Sequence, residues 1–396
     1  MDADRRAVKR SARSAPAWYV LPAMKGFHAA AAALLALFVA LAVPSAVGDS
    51  ATFDETAHLP AGIAYLEHDD FRLNAEHPPL AKLWAALAVE ILGRADLPPL
   101  PTDLPDQWSY GFETLNGPPG EADRRDPARL LVPARMMMIA LGVGLGLIVF
   151  AWARGLWGDQ GGLLTLALFA LSPTMLAHAR LVTTDLAAAL GFVATAWCAW
   201  RWTREPTLPR AAFVGVAFGV ALLAKFSTLA IPLLLAPAIG LALWRGRQDL
   251  SARRVPGGIA VVAVVALAVL WAGYGFRWSA GPEGAAELRW DAIEALDDGS
   301  AGVRAALALR DARVVPEAYA FGLAHASVGA GRRLAFLDGE ISNVGWWSYF
   351  PEAFVLKTPF AMLALIVAAA VIAVRRWRGR VQEIAFLAVP VVGYLC

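Results

Sequence analysis

The sequence predicts an all-α integral membrane protein, a polytopic helical bundle whose outer loops carry amphipathic surface helices. Three observations lead there. Hydrophobic residues make up 58% of the 396-residue chain and charged residues only 17%, too few to build the polar exterior of a soluble protein of this size. The apolar residues gather into runs of the length a helix needs to cross a bilayer. The thirty arginines and five lysines fall mainly in clusters between those runs. The same apolar content excludes disorder, and two cysteines, Cys198 and Cys396, exclude a disulfide framework.

In chain order, spans are expected at 27–47, 136–153, 161–177, 182–200, 211–224, 226–244, 257–276, 353–374 and 384–396. The run from 211 to 244 is too long for one crossing, and Lys225 with Pro232 divides it. The last span stops at Cys396 after about 13 residues, short of a full crossing, so a truncated chain is expected. Residues 1–26 form a basic tail with Arg5, Arg6, Lys9, Arg10 and Arg13. Further clusters stand at Arg201/Arg204/Arg210, Arg245/Arg247/Arg253/Arg254 and Arg375/Arg376/Arg378/Arg380. With these spans all four clusters lie on one face, which the positive-inside rule makes cytoplasmic. The expected location is a bacterial plasma membrane with the N-terminus inside. Ala46-Val47-Gly48 could end a signal peptide, but the long basic segment ahead of the first span favours an uncleaved anchor.

Two long loops then face outward. The first, 48–131, carries fifteen acidic residues against six basic ones; the second, 277–350, has helical stretches near 283–296 and 303–310. Neither has metal-finger spacing or a basic, aromatic-rich surface, so no nucleic acid is expected as a partner. The transmembrane domain would thus comprise 27–396, with both loops belonging to it.

Several residues in these loops could carry chemistry. In Phe53-Asp54-Glu55-Thr56-Ala57-His58, the two carboxylates and the histidine can share a helical face. They suit general-base work on a hydroxyl, or ligation of a divalent cation (Mg, Mn or Zn) by Asp54, Glu55 and His58. The plainer reading is a helix N-terminus, where Asp54 would cap. Glu55 and His58 match half of a zincin motif whose first histidine is absent. In Glu76-His77-Pro78-Pro79-Leu80-Ala81-Lys82, the prolines lock an extended entry to a helix. Residues 83–92 would lie along the membrane surface, with His77 and Lys82 at headgroup depth, either as phosphate ligands or as interfacial anchors. Asp185 opens the fourth span on the same outer side; acids at the membrane edge are costly, though it could also cap its helix. Arg180 could pair with it or bind phosphate. Lys225 and Lys357 fall at outer ends of spans, where snorkelling is the plainer account. Trp346, Trp347 and Tyr349 read as an interfacial belt that could also stack on sugars. No single plain reading explains why two carboxylate sites and several cations share one face.

These residues carry a resemblance. FDETAH (53–58), EHPPLAKL (76–83), ALSPTMLAHARLVTTDL (170–186), LLAKFS (222–227) and GWWSYFPEAFVLKTP (345–359) resemble glycosyltransferase family 39, the protein O-mannosyltransferase-like group of the GT-C membrane glycosyltransferases. The resemblance implies a GT-C-type bundle and a polyprenyl-phosphate-linked sugar as donor. It also implies transfer at the extracytoplasmic face with inversion at the anomeric carbon. It makes Asp54 the catalytic base, supported by Glu55, and Asp185 a second essential carboxylate. His77, Lys82, Arg180, Lys225 and Lys357 are the candidate donor-phosphate ligands, and His77 stands where the aminoarabinose transferases of the superfamily have lysine. The acceptor (protein, lipid or glycan) stays open. A transporter would instead place its charges near the bilayer midplane on broken helices. A non-catalytic assembly subunit would tolerate Asn at 54 and 185.

Overall fold

The structure is a computed structural model that describes residues 26–94, 98, 100, 103, 106–118, 125–245, 254–297, 299–330 and 334–395. The N-terminal basic cluster, Arg247, Arg253 and Cys396 lie outside the described residues. The rest is helical, as the apolar runs require. Helix α1 (Phe27–Gly48) has 22 residues, enough to rise about 33 Å, the thickness of a hydrocarbon core.

The first loop contributes α2 (Phe53–His68), α3 (Leu80–Ile91) and α4 (Gln107–Asn116). Then follow α5 (Ala128–Ala170), α6 (Pro173–Ala179), α7 (Thr184–Arg204) and α8 (Leu208–Ala224). A 3-10 turn over Phe226–Ala230 leads into α9 (Ile231–Arg245), and α10 is Arg254–Ala272. The second loop folds into α11 (Trp290–Leu296), α12 (Ala301–Asp311), α13 (Glu317–Ala330) and a small hairpin, β1 (Ala335–Leu337) against β2 (Glu340–Ser342). Helices α14 (Tyr349–Lys357) and α15 (Phe360–Leu395) close the described chain.

Each expected span overlaps one of these helices, but their division differs. The 43 residues of α5 are interrupted at Gly158, whose φ of 72° suits glycine alone, and α15 is interrupted at Arg380. Among the described residues four helices are long and apolar enough to cross a membrane, or six if each bent pair counts as one span. Those pairs are α6 with α7, bent by 116°, and α14 with the first part of α15, bent by 115°. The chain is an all-α integral membrane protein.

Small residues let the helices approach closely, as membrane packing demands. A Cβ on Gly191 of α7 would fall 2.6 Å from the Ala221 Cα of α8, and one on Gly219 would meet Val269 of α10 at 2.6 Å. The bundle has two chemically distinct ends. At one, Arg204 of α7 bonds Glu383 of α15 at 2.5 Å, Arg380 donates to the Leu156 carbonyl of α5, and Arg210 donates to the Arg201 carbonyl. Two arginine clusters therefore meet there. At the other end the first and second loops pack together around Tyr65, Phe71, Tyr274 and Tyr319.

Candidate functional site

The site is built at the loop-covered end, and its frame is an ion pair between residues 80 positions apart. Arg135, on α5, is 1% exposed and uses all five of its N–H groups. Two go to Glu55, from Nε to Oε1 at 2.8 Å and from Nη2 to Oε2 at 2.6 Å. Three go to the carbonyls of Ala46, Asp49 and Ser50, where α1 ends. Glu55, fully buried, also accepts the backbone N–H and hydroxyl of Thr52 and the N–H of Val182. Burial alone would push its carboxyl up, but Arg135, Thr52 and Val182 together hold it below the usual carboxylate range. The cap expected of Asp54 thus falls to Glu55, which fastens α1, α2, α5 and the start of α7 in one knot.

Asp54 is left outside that knot. It is exposed, no described residue hydrogen-bonds its carboxylate, and it stands one residue from the most tightly held side chain in the region. His58, one turn along α2, is buried and donates from Nδ1 to the Val182 carbonyl at 3.0 Å. Burial, and then the charge of Lys82, push its pKa down, which leaves a neutral ring with its lone pair on Nε2. Its ring packs edge-on against His77 at 5.4 Å between centroids.

Lys82 departs from its expected surface position. It is fully buried, and Nζ donates to Tyr65 Oη at 2.9 Å and to the carbonyls of Asn74 and His77 at 2.6 and 2.7 Å. Burial pushes its pKa well down, with Glu76 pulling the other way. Three acceptors match the three N–H groups of the ammonium, whereas a neutral amine would leave one unpaired. With Pro78 and Pro79 fixing the following φ angles, Lys82 shapes the turn that presents His77. It reaches no phosphate at the surface.

Asp185, in the first turn of α7, meets Lys225 from the junction of α8 and the 3-10 turn, with Nζ to Oδ1 at 2.6 Å. His178 of α6 stands 3.8 Å from the other carboxylate oxygen, and His77 lies within electrostatic reach. Arg180 does not pair with Asp185; its guanidinium bonds Asp49, because α6 turns back toward the end of α1. The Asp185–Lys225 pair borders a cavity of about 380 Å³ that is otherwise mostly apolar, walled by Phe192, Val193, Phe354, Val391 and Tyr394 among others. Lys357 is exposed at the end of α14, the helix that supplies Phe354. Trp346, Trp347 and Tyr349 do not line that cavity, and Trp347 is 93% exposed.

A divalent cation does not fit the trio Asp54, Glu55 and His58. The Glu55 oxygens are taken by a guanidinium and three further donors, and the His58 Nδ1 is taken by a carbonyl. No other group of three metal-ligating side chains occurs among the described residues. Sequence reasoning missed Arg135, hidden at the edge of an apolar run, and His178, inside the quoted 170–186 motif but not singled out.

Residues 129–271 match the family model described as dolichyl-phosphate-mannose-protein mannosyltransferase. No curated protein matches the chain. Among solved structures, the Saccharomyces cerevisiae protein O-mannosyltransferase Pmt1-Pmt2 complex bound to the sugar donor is similar at 18% identity with a TM-score of 0.48. The similarity covers 64% of this chain and 33% of that one, so this chain spans about a third of that relative's length.

Proposed function

We propose that this chain is a membrane glycosyltransferase that moves a sugar from a polyprenyl-phosphate donor to a hydroxyl on the extracytoplasmic face. Residues 129–271 supply the match to a mannosyltransferase family, and the resemblance of 53–58 and 76–83 extends it through the first loop. The single observation that carries the reading is the mostly apolar cavity bordered by Lys225 and Asp185. Such a cavity suits a prenyl chain whose phosphate meets a cation where the apolar lining ends.

In this reading the acceptor oxygen attacks the anomeric carbon from the side opposite the phosphate. The new glycosidic bond forms as the bond from the anomeric carbon to the phosphate oxygen breaks; its electron pair leaves with the polyprenyl phosphate, so configuration inverts. Asp54 takes the acceptor's proton, a contribution on the order of 100- to 10,000-fold. A phosphate is a good leaving group without a proton, and what it needs is positive charge held in place. Lys225 supplies that charge, with His77 and His178 nearby, and Asp185 fixes the ammonium. Glu55 acts at one remove by anchoring the turn that carries Asp54. Lys357 and the exposed Trp347 are placed for the headgroup and sugar, with Trp346 and Tyr349 beside them. The arginine-rich end faces the cytoplasm and the site faces outward.

The test is transfer of labelled sugar from polyprenyl phosphate in membranes holding the full-length chain, Asp54→Asn or Asp185→Asn. Loss in both variants is expected. Unchanged transfer in both would leave an assembly subunit as the better account.

A further inference from the structure

A second cavity, polar and also of about 380 Å³, lies on the other side of the His77 turn, between the first loop and the second. Its floor is a set of side chains already fixed to one another. Asn74 Nδ2 donates to Gln107 Oε1 at 2.8 Å and to Glu76 Oε1 at 3.2 Å, and Gln107 Nε2 donates to the same Glu76 oxygen at 3.1 Å. Asn74 is 4% exposed, and its Oδ1 has no hydrogen-bond partner among the described residues. A buried acceptor without a donor is uncommon and marks a place where a ligand hydroxyl or a water belongs. Ile293 of α11 and Phe321 of α13 form an apolar wall, while Arg289 and the exposed His325 stand at the rim.

This cavity is locked to the catalytic turn. Gly322 of α13 packs so closely that a Cβ there would lie 2.0 Å from the Ala75 carbonyl oxygen and 2.9 Å from the Phe226 ring. Ala75 is two residues from His77, and Phe226 follows Lys225. The second loop is therefore seated against both strips of the proposed machinery.

The lining decides the class of ligand. Two amides and a carboxylate offer fixed donors and acceptors to vicinal hydroxyls, and the Phe321 side offers a surface for an apolar ring face. Glu76 and Asp106 in the lining disfavour a phosphorylated ligand. An extended peptide would look for an open strand edge, and the β1–β2 hairpin does not line this cavity. We infer that the cavity formed by Asn74, Glu76, Gln107 and Phe321 is the acceptor subsite and that it takes an uncharged sugar residue of a glycan. This rests on the glycosyltransferase reading and names the acceptor class it leaves open.

The test uses the full-length chain in nanodiscs with labelled polyprenyl-phosphate mannose. The acceptors are the methyl glycopyranosides of mannose, glucose, galactose and N-acetylglucosamine, beside a serine- and threonine-containing peptide. At least one glycoside should be glycosylated. Gln107→Ala should raise its KM about tenfold, as loss of a fixed hydrogen-bonding group does, and leave the release of free sugar to water unchanged. His325→Ala, at the exposed rim, should raise KM less and keep the wild-type melting temperature. Acceptance of the peptide alone, or a glycoside KM indifferent to both variants, overturns the inference. If the wild type neither transfers nor releases sugar, the glycosyltransferase reading fails instead. Saturation-transfer NMR of the same glycosides then judges the cavity by itself: binding lost in Gln107→Ala supports it, and no binding to the wild type overturns it.

Discussion

Arg135→Ala removes a side chain that touches no proposed reactant, and its effect follows from the geometry. The variant loses five hydrogen bonds and leaves Glu55, fully buried, without its counter-charge, along with the carbonyls of Ala46, Asp49 and Ser50. Removing one partner of a buried ion pair costs about 3–5 kcal/mol, a large part of the 5–15 kcal/mol that stabilises a typical domain. Arg135→Lys keeps the charge but has at most three donors for five positions, so it should fall between. Glu55→Leu with Arg135→Met removes both charges and should recover much of the stability, since a buried pair replaced by apolar residues is often neutral. It should not recover activity, because nothing then fixes the turn that carries Asp54. Thermal unfolding in nanodiscs and sugar transfer, measured side by side, separate these outcomes. Arg135→Ala melting with the wild type and transferring at its rate would refute the reasoning.

Three further outcomes follow from the same geometry. Lys82→Met should cost on the order of 3 kcal/mol, because it leaves Tyr65 Oη and two carbonyls without their donor. It should lower the melting temperature as well as weaken donor use, whereas a surface phosphate ligand would change donor KM alone. Gly322→Ala should cost about 1–3 kcal/mol, since its methyl group collides with the Ala75 carbonyl, while Gly329→Ala, with nothing within 4 Å, should melt like the wild type. Acid should destabilise the fold in two steps. His58 is held below its ordinary value of 6.5, so its contribution is complete above that pH and is lost as the pH falls below it toward the folded-state value. Glu55, held below 4.5, adds a second loss beginning near that pH. His58→Gln should flatten the first step in a melting series from pH 7.5 to 4.

The reach of the sequence reading follows from what is local. Apolar runs and arginine clusters are local signals, and they located the helices and the two unlike ends. Asp54, His77, Asp185 and Lys225 stand in short motifs, and hydrogen bonds draw those motifs together at one end of the bundle. The Glu55–Arg135 pair was invisible because its partners are 80 residues apart and Arg135 sits in an apolar stretch. Lys82 was misplaced because a helical pattern shows which face a residue shares, not how deeply the HPP turn folds over it. Arg180 was assigned the nearer acid, five residues away, when the 116° bend between α6 and α7 turns it toward Asp49 instead. The second loop gave least: helix α13 has no amphipathic stripe to announce it, since both its faces are covered by the core around Tyr319 and by the His77 turn.

The central claim is that Asp54 performs proton transfer on a site held together by others. It is tested most directly by measuring donor binding and transfer separately in Asp54→Asn, in the full-length chain. The account predicts wild-type melting and donor affinity with transfer reduced on the order of 100-fold or more. Transfer at the wild-type rate, with donor bound as before, would contradict it.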